Sequence, residues 1–410
     1  MEYHSGDVVK VGRDRYEVLN ILGYGDHSVV YDARSQTGNA VALKVSPTPG
    51  WSSLHHWRAL HQTPSEHLVR VLETDRVPDG FLTIMERIEG VDLRELTGLL
   101  RQEQRVLAPH LAIEIAYQVA RGLADVLERT GEGHGDLKPA NIIIDRWGVV
   151  KLLDVGGISG RAFGEYGGLP HELEYLAPEQ ANVDGQLEDD PRSDLFSLGA
   201  VLLELLAGES LYEFKEGDTL YQRLMTIARA DVTPALERLK VAQPSLVGVL
   251  HRALARDRQA RFQSAREMST ALAGVATGLP PAVPLELFAE SLYQYARAGR
   301  RTPALEQSLL CHNTAEWHPL RRSPLEAAQA LPRSSRNAST ARDDLADIHL
   351  ERRPGMAMLA GMIVALVLVV GVLVAFWRPQ EVREAIRGGA EVFSQQRSFI
   401  SPEPMPTAAP

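Results

Sequence analysis

Cysteine is almost absent: Cys311 stands alone among 410 residues. A single thiol excludes a disulfide framework or a cysteine-based zinc site within the chain, and it fits a reducing compartment. Basic charge is in deficit. Lysine and arginine number 43 against 53 aspartates and glutamates, giving a net charge of −10 and a pI near 5.8. Nucleic acid recognition needs a concentrated basic face, so nucleic acid is not an expected partner. The first stretch, Met1 to Val11, carries Glu2, Asp7 and Lys10 and has no apolar centre, which excludes a secretory signal. No internal repeat is visible. Long apolar runs are missing with one exception: from Pro354 to Trp377 no residue is charged. A helix of about 20 such residues spans the hydrocarbon core of a bilayer. Arg352 and Arg353 on one side, and Trp377 with Arg378 on the other, suit interfacial anchors.

What is present is globular in composition, 44% hydrophobic and 23% charged. From Tyr16 to Gly278 the pattern reads as one unit that begins with strands and continues as helices. Tyr16–Leu22, Val29–Arg34, Ala40–Val45, Val69–Asp75 and Phe81–Glu86 are short strand-like runs, broken by Gly23, Gly25, Gly38-Asn39 and Pro78-Asp79-Gly80. Leu111, Ile115, Val119, Leu123 and Leu127 place one apolar face on a helix. Leu195–Leu206 is apolar nearly all round and predicts an interior helix, with Ser193 to cap it and Gly208 to end it. Ser264-Ala-Arg-Glu267 is a capping-box pattern. Beyond Leu279 prolines, arginines and small polar residues rise. There the chain reads as a linker of limited structure, with short helices allowed at Pro284–Arg297 and Pro303–Leu310.

Three motifs carry chemistry. Gly23 and Gly25, in Ile21-Leu-Gly-Tyr-Gly-Asp-His-Ser-Val-Val-Tyr31, let a hairpin backbone approach phosphate oxygens, with Ser28 where a third glycine would be usual. Val41-Ala-Leu-Lys44 puts a lysine in an apolar strand, which makes sense if its ammonium reaches phosphates. The most specific is His134-Gly-Asp-Leu-Lys-Pro-Ala-Asn141, followed by Leu153-Asp-Val-Gly156. Asp136 can accept a hydroxyl proton and Lys138 can neutralise a moving phosphoryl group. Asn141 and Asp154 offer the hard oxygen ligands that magnesium shares with phosphates.

Taken together, residues 16–278 resemble the eukaryotic-type serine/threonine protein kinase family. Ala177-Pro-Glu179 is similar to the segment closing the family's activation loop. Asp194 resembles its buried brace, Arg261 the partner of Glu179, and Met85-Glu86-Arg87-Ile88 the gatekeeper and hinge. The resemblance implies an α+β, bilobal fold with a β-rich N-lobe and a helical C-lobe; with the apolar run 354–377 as one C-terminal transmembrane helix, the whole layout resembles bacterial receptor-like, membrane-anchored kinases. It implies ATP and Mg2+ as cofactors. Ile21, Leu22, Gly23, Gly25, Val30, Ala42, Lys44, Met85, Glu86 and Ile88 would then hold the nucleotide, Asn141 and Asp154 the metal, and Asp136 and Lys138 the chemistry.

Three departures matter. No acidic residue lies between Lys44 and Glu66, where the family's lysine finds a glutamate; the expected position falls near His55–Trp57, and Asp26 or Glu73 are the substitutes at hand. Gly135 replaces the arginine that precedes the catalytic aspartate. The stretch from Gly156 to Pro178 has no threonine, carries Ser159 and Tyr166, and puts Glu172 where a threonine is usual. The expectation is therefore a serine/threonine kinase not switched by activation-loop phosphorylation; a pseudokinase that binds nucleotide or acts as a scaffold is the alternative. The expected layout is an N-terminal extension 1–15, a kinase-like domain 16–278, a juxtamembrane linker 279–353, a membrane helix 354–377 and a short extracytoplasmic tail 378–410. ATP would keep the kinase domain cytoplasmic in a single-pass membrane protein. Protein substrates are the expected partners, and pairing of two copies is one use for the helix.

Overall fold

A computed structural model describes residues 3–25, 28–46, 65–77, 80–155, 173–181, 190–242, 244–279 and 282–311. The apolar run 354–377, the His55–Trp57 position, Asp26, Ser159, Tyr166, Glu172 and the tail lie outside the described residues. Among those described, no helix is long and apolar enough to cross a membrane.

Six strands open the fold: β1 (Val8–Val11), β2 (Asp14–Gly25), β3 (Ser28–Ser35), β4 (Ala40–Ser46), β5 (Val71–Val77) and β6 (Gly80–Glu86). They form one antiparallel sheet in the order β1-β2-β3-β4-β6-β5. Side chains alternate across a strand, and that rule sorts the two faces. Val41, Leu43 and Val45 join Val9, Val11, Tyr16, Val18 and Tyr31 in the sheet's own core. Ala42 and Lys44 fall on the opposite face, toward the cleft between the lobes. Strand β1 lies inside the expected N-terminal extension, and its buried Val9 and Val11 make it part of the sheet.

The helical half follows. Helix α1 (Leu93–Glu103) is capped by Asp92, whose carboxylate accepts from the Glu95 N–H at 2.9 Å. Helix α2 (Pro109–Thr130) presents the apolar face read from the sequence. Helix α3 (Pro191–Ala207) is buried nearly all round and ends at Gly208 in the left-handed region, φ 69°. Its cap is Asp190 rather than the expected Ser193. Ser193 already lies within the first turn and gives its hydroxyl to Glu179 at 2.6 Å. Helices α4 (Leu220–Arg229), α5 (Thr233–Ala242), α6 (Pro244–Ala253) and α7 (Ala265–Ala276) complete this half. Ser264 caps α7, while Glu267 reaches back to the Gln263 N–H instead of closing the box on Ser264.

A small sheet, β10 (Val150–Leu152), β9 (Ile142–Asp145) and β7 (Gly90–Asp92), lies under the cleft. The packed body also continues past Gly278. Helix α8 (Leu285–Ala298) buries Leu285, Phe288, Leu292 and Tyr293 in the main core. Helix α9 (Pro303–Ser308) leads to β11 (Leu309–Cys311), which pairs with β8 (Arg105–Leu107). The first part of the expected linker is thus folded against the helical half.

Candidate active site

The cleft is lined from both halves. Ala42, Val69, Met85 and Ile88 are buried together, with Val30, Ile143 and Leu153 packed against them. An apolar slot between a sheet and a second, smaller sheet suits a flat aromatic ring. Val69, Ile143 and Leu153 were not singled out from the sequence. The signal for two of them was there: Ile143 is the centre of the strand after Asn141, and Leu153 directly precedes Asp154.

The glycine hairpin rides above this slot. Gly23 pairs with Val30 and Gly25 with Ser28, with a register shift between Ile21 and Gly23. At Gly25 the hairpin is tight, since a Cβ there would meet the Ser28 hydroxyl at 2.7 Å and make that side chain turn away. Gly23 has open space around it. Ile21 and Leu22 are 46% and 40% exposed and stand outside the apolar cluster. Of the hinge residues, Met85 and Ile88 line the slot. The Glu86 carboxylate turns away to Lys151 Nζ at 2.7 Å and the Arg70 N–H at 2.8 Å, which fixes the strand it ends.

Lys44 Nζ lies 2.5 Å from Asp154 Oδ1. Glu73 does not serve it: that carboxylate accepts from the Tyr16 hydroxyl at 3.3 Å. Asp154 itself sits in the left-handed region, φ 55°. Burial works to raise its carboxyl, but the Lys44 ammonium, with His134 and Lys138, outweighs this and holds it below the ordinary aspartate value.

Asp194, on α3, organises the catalytic loop by accepting from the His134 N–H at 2.7 Å and the Gly135 N–H at 2.9 Å. Burial pushes its carboxyl above the ordinary aspartate range, although both amides favour the charged form. Gly133 leaves room for this contact, since a Cβ there would lie 2.6 Å from Asp194 Oδ2. Gly135 stands at φ +80°, a backbone that glycine adopts without the penalty of a side chain. His134 Nε2 lies 2.8 Å from the Leu153 carbonyl, and Nδ1 faces the Asp136 N–H at 3.4 Å. This pair of contacts ties the loop to the residue before Asp154.

Asp136 Oδ2 is 3.2 Å from Lys138 Nζ and accepts from Asn141 Nδ2 at 3.1 Å. The same amide nitrogen donates to the Asp136 carbonyl at 2.7 Å, which leaves the Asn141 oxygen available as a ligand. The Leu153 N–H closes onto the Asn141 carbonyl at 2.9 Å. The structure therefore brings Asp136, Lys138 and Asn141 into one cluster and sets Asp154 with Lys44 beside it. Among the described residues no three His, Cys, Asp or Glu side chains converge as a metal cage. One Asn and one Asp fit a hard cation that takes its other ligands from phosphate.

Two ion pairs hold the frame. Arg261, fully buried, meets Glu179 through both nitrogens at 2.6 and 2.7 Å, and its other N–H groups go to the carbonyls of Ala255, Arg192 and Arg256. Burial tends to raise the Glu179 carboxyl, and Arg261 more than reverses this, leaving it below the ordinary glutamate value. The second pair was not anticipated: buried Glu204 of α3 accepts from the Tyr175 hydroxyl at 2.6 Å and pairs with Arg101 of α1.

Residues 16–271 match the protein kinase domain family. The serine/threonine-protein kinase PknB of Mycobacterium tuberculosis is 32% identical over 288 residues, covering 66% of this chain and 44% of that protein. A probable serine/threonine-protein kinase of Streptomyces coelicolor is 30% identical, covering 65% of this chain and 40% of its own length. The chain thus spans less than half the length of these curated relatives. The Mycobacterium tuberculosis PknI kinase domain superposes at a TM-score of 0.49 with 23% identity, over 67% of this chain and all of that one. With the motifs in order and the family match spanning both lobes, the chain belongs to the protein kinase family, on its eukaryotic-type serine/threonine branch.

Proposed function

We propose that this protein transfers the γ-phosphate of ATP to serine or threonine hydroxyls of other proteins, with Mg2+ as the metal. The observation that carries this reading is the Asp136 carboxylate, fixed by Lys138 at 3.2 Å and Asn141 at 3.1 Å in a half-exposed position facing the cleft. A substrate hydroxyl placed there gives its proton to Asp136 while its oxygen bonds to the γ-phosphorus and the bond to the β-phosphate oxygen breaks, releasing ADP. Lys138 offsets charge on the moving group. Lys44 exchanges part of its contact with Asp154 for phosphate oxygens, and the Val30–Ala42–Met85–Ile88 slot takes the adenine. Bound magnesium would screen the phosphates; Asn141 and Asp154 are the residues to hold it.

Gly135 and the threonine-free stretch after Gly156 support activity that is not gated by phosphate on the activation loop. The apolar run 354–377 supports a single membrane span, with the kinase domain on the ATP-containing, cytoplasmic side.

Radiolabelled transfer to the protein itself or to a generic basic protein tests the reading. Asp136→Asn should lower the rate by about 10²- to 10⁴-fold with the melting temperature unchanged. Lys44→Met should weaken ATP as well. No transfer by the wild type, together with a melting temperature still raised by ATP and Mg2+, would identify a nucleotide-binding pseudokinase instead.

A further inference from the structure

The family match ends at residue 271, yet α8 lies beyond it and is tied to the hinge by an arginine of the main body. Arg146, in the turn between β9 and β10, gives its backbone N–H to the Glu89 carbonyl at 2.8 Å and its guanidinium to Glu89 Oε2 at 3.3 Å. Glu89 directly follows Ile88, the last residue of the slot. The rest of the same guanidinium grips Glu290 of α8 in a bidentate pair at 2.9 and 3.0 Å, above the Tyr293 ring at 5.2 Å. The turn is shaped for this helix. Gly148 sits at φ +89°, and a Cβ there would meet the Glu286 backbone at 3.0 Å.

On the sheet side, Arg87 Nε pairs with Asp32 Oδ1 at 3.2 Å, and the Arg87 guanidinium also reaches the Ile88 carbonyl. Asp32, Arg87, Glu89, Arg146 and Glu290 therefore run as charges of alternating sign along the hinge, from the sheet to α8. The two hinge residues on either side of Ile88 are each held by an ion pair, one anchored in each lobe.

We propose that α8 is part of the nucleotide grip, and that Arg146 is a positioning residue that sets ATP affinity by holding Glu89, and with it the Ile88 backbone, in place. This rests on the kinase reading for the identity of the ligand. An adenine ring is recognised by hinge N–H and C=O groups, so a hinge free to shift lowers affinity before it touches the phosphate-transfer residues. The guanidinium's planar fork serves two carboxylates at once, a task lysine cannot repeat.

The test uses the full chain. Arg146→Met should raise both the KM and the Kd for ATP–Mg2+ by about three- to tenfold, in line with loss of a partly exposed charge network. Neither kcat nor the KM for the protein acceptor should move more than about twofold, since Asp136 is untouched. Glu290→Gln should show a smaller effect of the same kind. The double variant should be no worse than Arg146→Met alone, because both act through one link. An unchanged ATP Kd with a lowered melting temperature would overturn the proposal and make the contact merely structural. A parallel fall in kcat would also overturn it. Should Arg146→Met fail to fold, Glu290→Gln, a near-isosteric change at a half-buried position, carries the same readout. A wild type that binds no ATP–Mg2+ would instead bring down the kinase reading and this proposal with it.

Discussion

Arg261, itself fully buried, makes all five of its N–H donors count. Removing one partner of such a pair leaves an uncompensated charge, which costs about 3–5 kcal/mol. Glu179→Gln should therefore destabilise the domain by that order at pH 7. The effect should depend on pH with a defined sign. The Glu179 carboxyl is depressed in the folded protein, so its contribution is complete above the ordinary value of 4.5 and is lost as pH falls through the lower folded value. Melting temperatures of wild type and Glu179→Gln should draw together as the pH is lowered below 4.5, read by thermal scans from neutral pH downward; parallel curves would refute the assignment. At this scale the sequence was legible wherever a motif fixes both type and spacing: Asp136, Lys138 and Asn141 come together, Asp154 lies beside them, and Glu179 meets Arg261. It was not legible where a partner is chosen in space. Nothing in one dimension says that Lys44 meets Asp154, that Glu73 goes to Tyr16, or that Glu204 collects Tyr175 and Arg101.

Strands with a clear period of two and helices with a clear apolar face were readable to within a few residues, from Ala40–Ser46 to Pro109–Thr130. The three-residue strands β7, β8, β10 and β11 were not, since so short a run shows no period and forms only because a neighbour supplies its hydrogen bonds. Helix α8 falls between these cases. Leu285, Phe288, Ala289 and Leu292 recur as a helix face should, but the Pro- and Arg-rich surroundings suggested a loose linker, and only the fold shows what that face covers. A chain ended at residue 278 loses several fully buried side chains, each worth about 1.5–3 kcal/mol. It also bares their seat in the core. Its melting temperature should lie roughly 10 °C below that of a chain ended at residue 311, measured by circular dichroism. Equal stability would mean that α8 contributes little to the core.

At the scale of the whole molecule, an acidic chain with a single long apolar run is expected to divide its tasks between a folded body and a tether. The full chain should sediment with membranes and resist carbonate extraction, whereas a chain ended at residue 353 should be recovered in the soluble fraction. Recovery of the full chain as soluble protein would remove the membrane span from the proposal. The pairing of β11 with β8 has a consequence for biosynthesis. The Arg105 side chain reinforces the pairing by donating from Nε to the Leu309 carbonyl at 2.8 Å, 204 residues along the chain. A ribosome adding about 5–20 residues per second leaves β8 waiting on the order of 10–40 s for its partner. By the later part of that interval the nascent protein carries its glycine hairpin, catalytic loop and aspartate brace, while the seat of α8 and the free edge of β8 stay open. The helix that closes the hinge bracket is made after the catalytic loop and its brace, so the cleft is assembled before it is held.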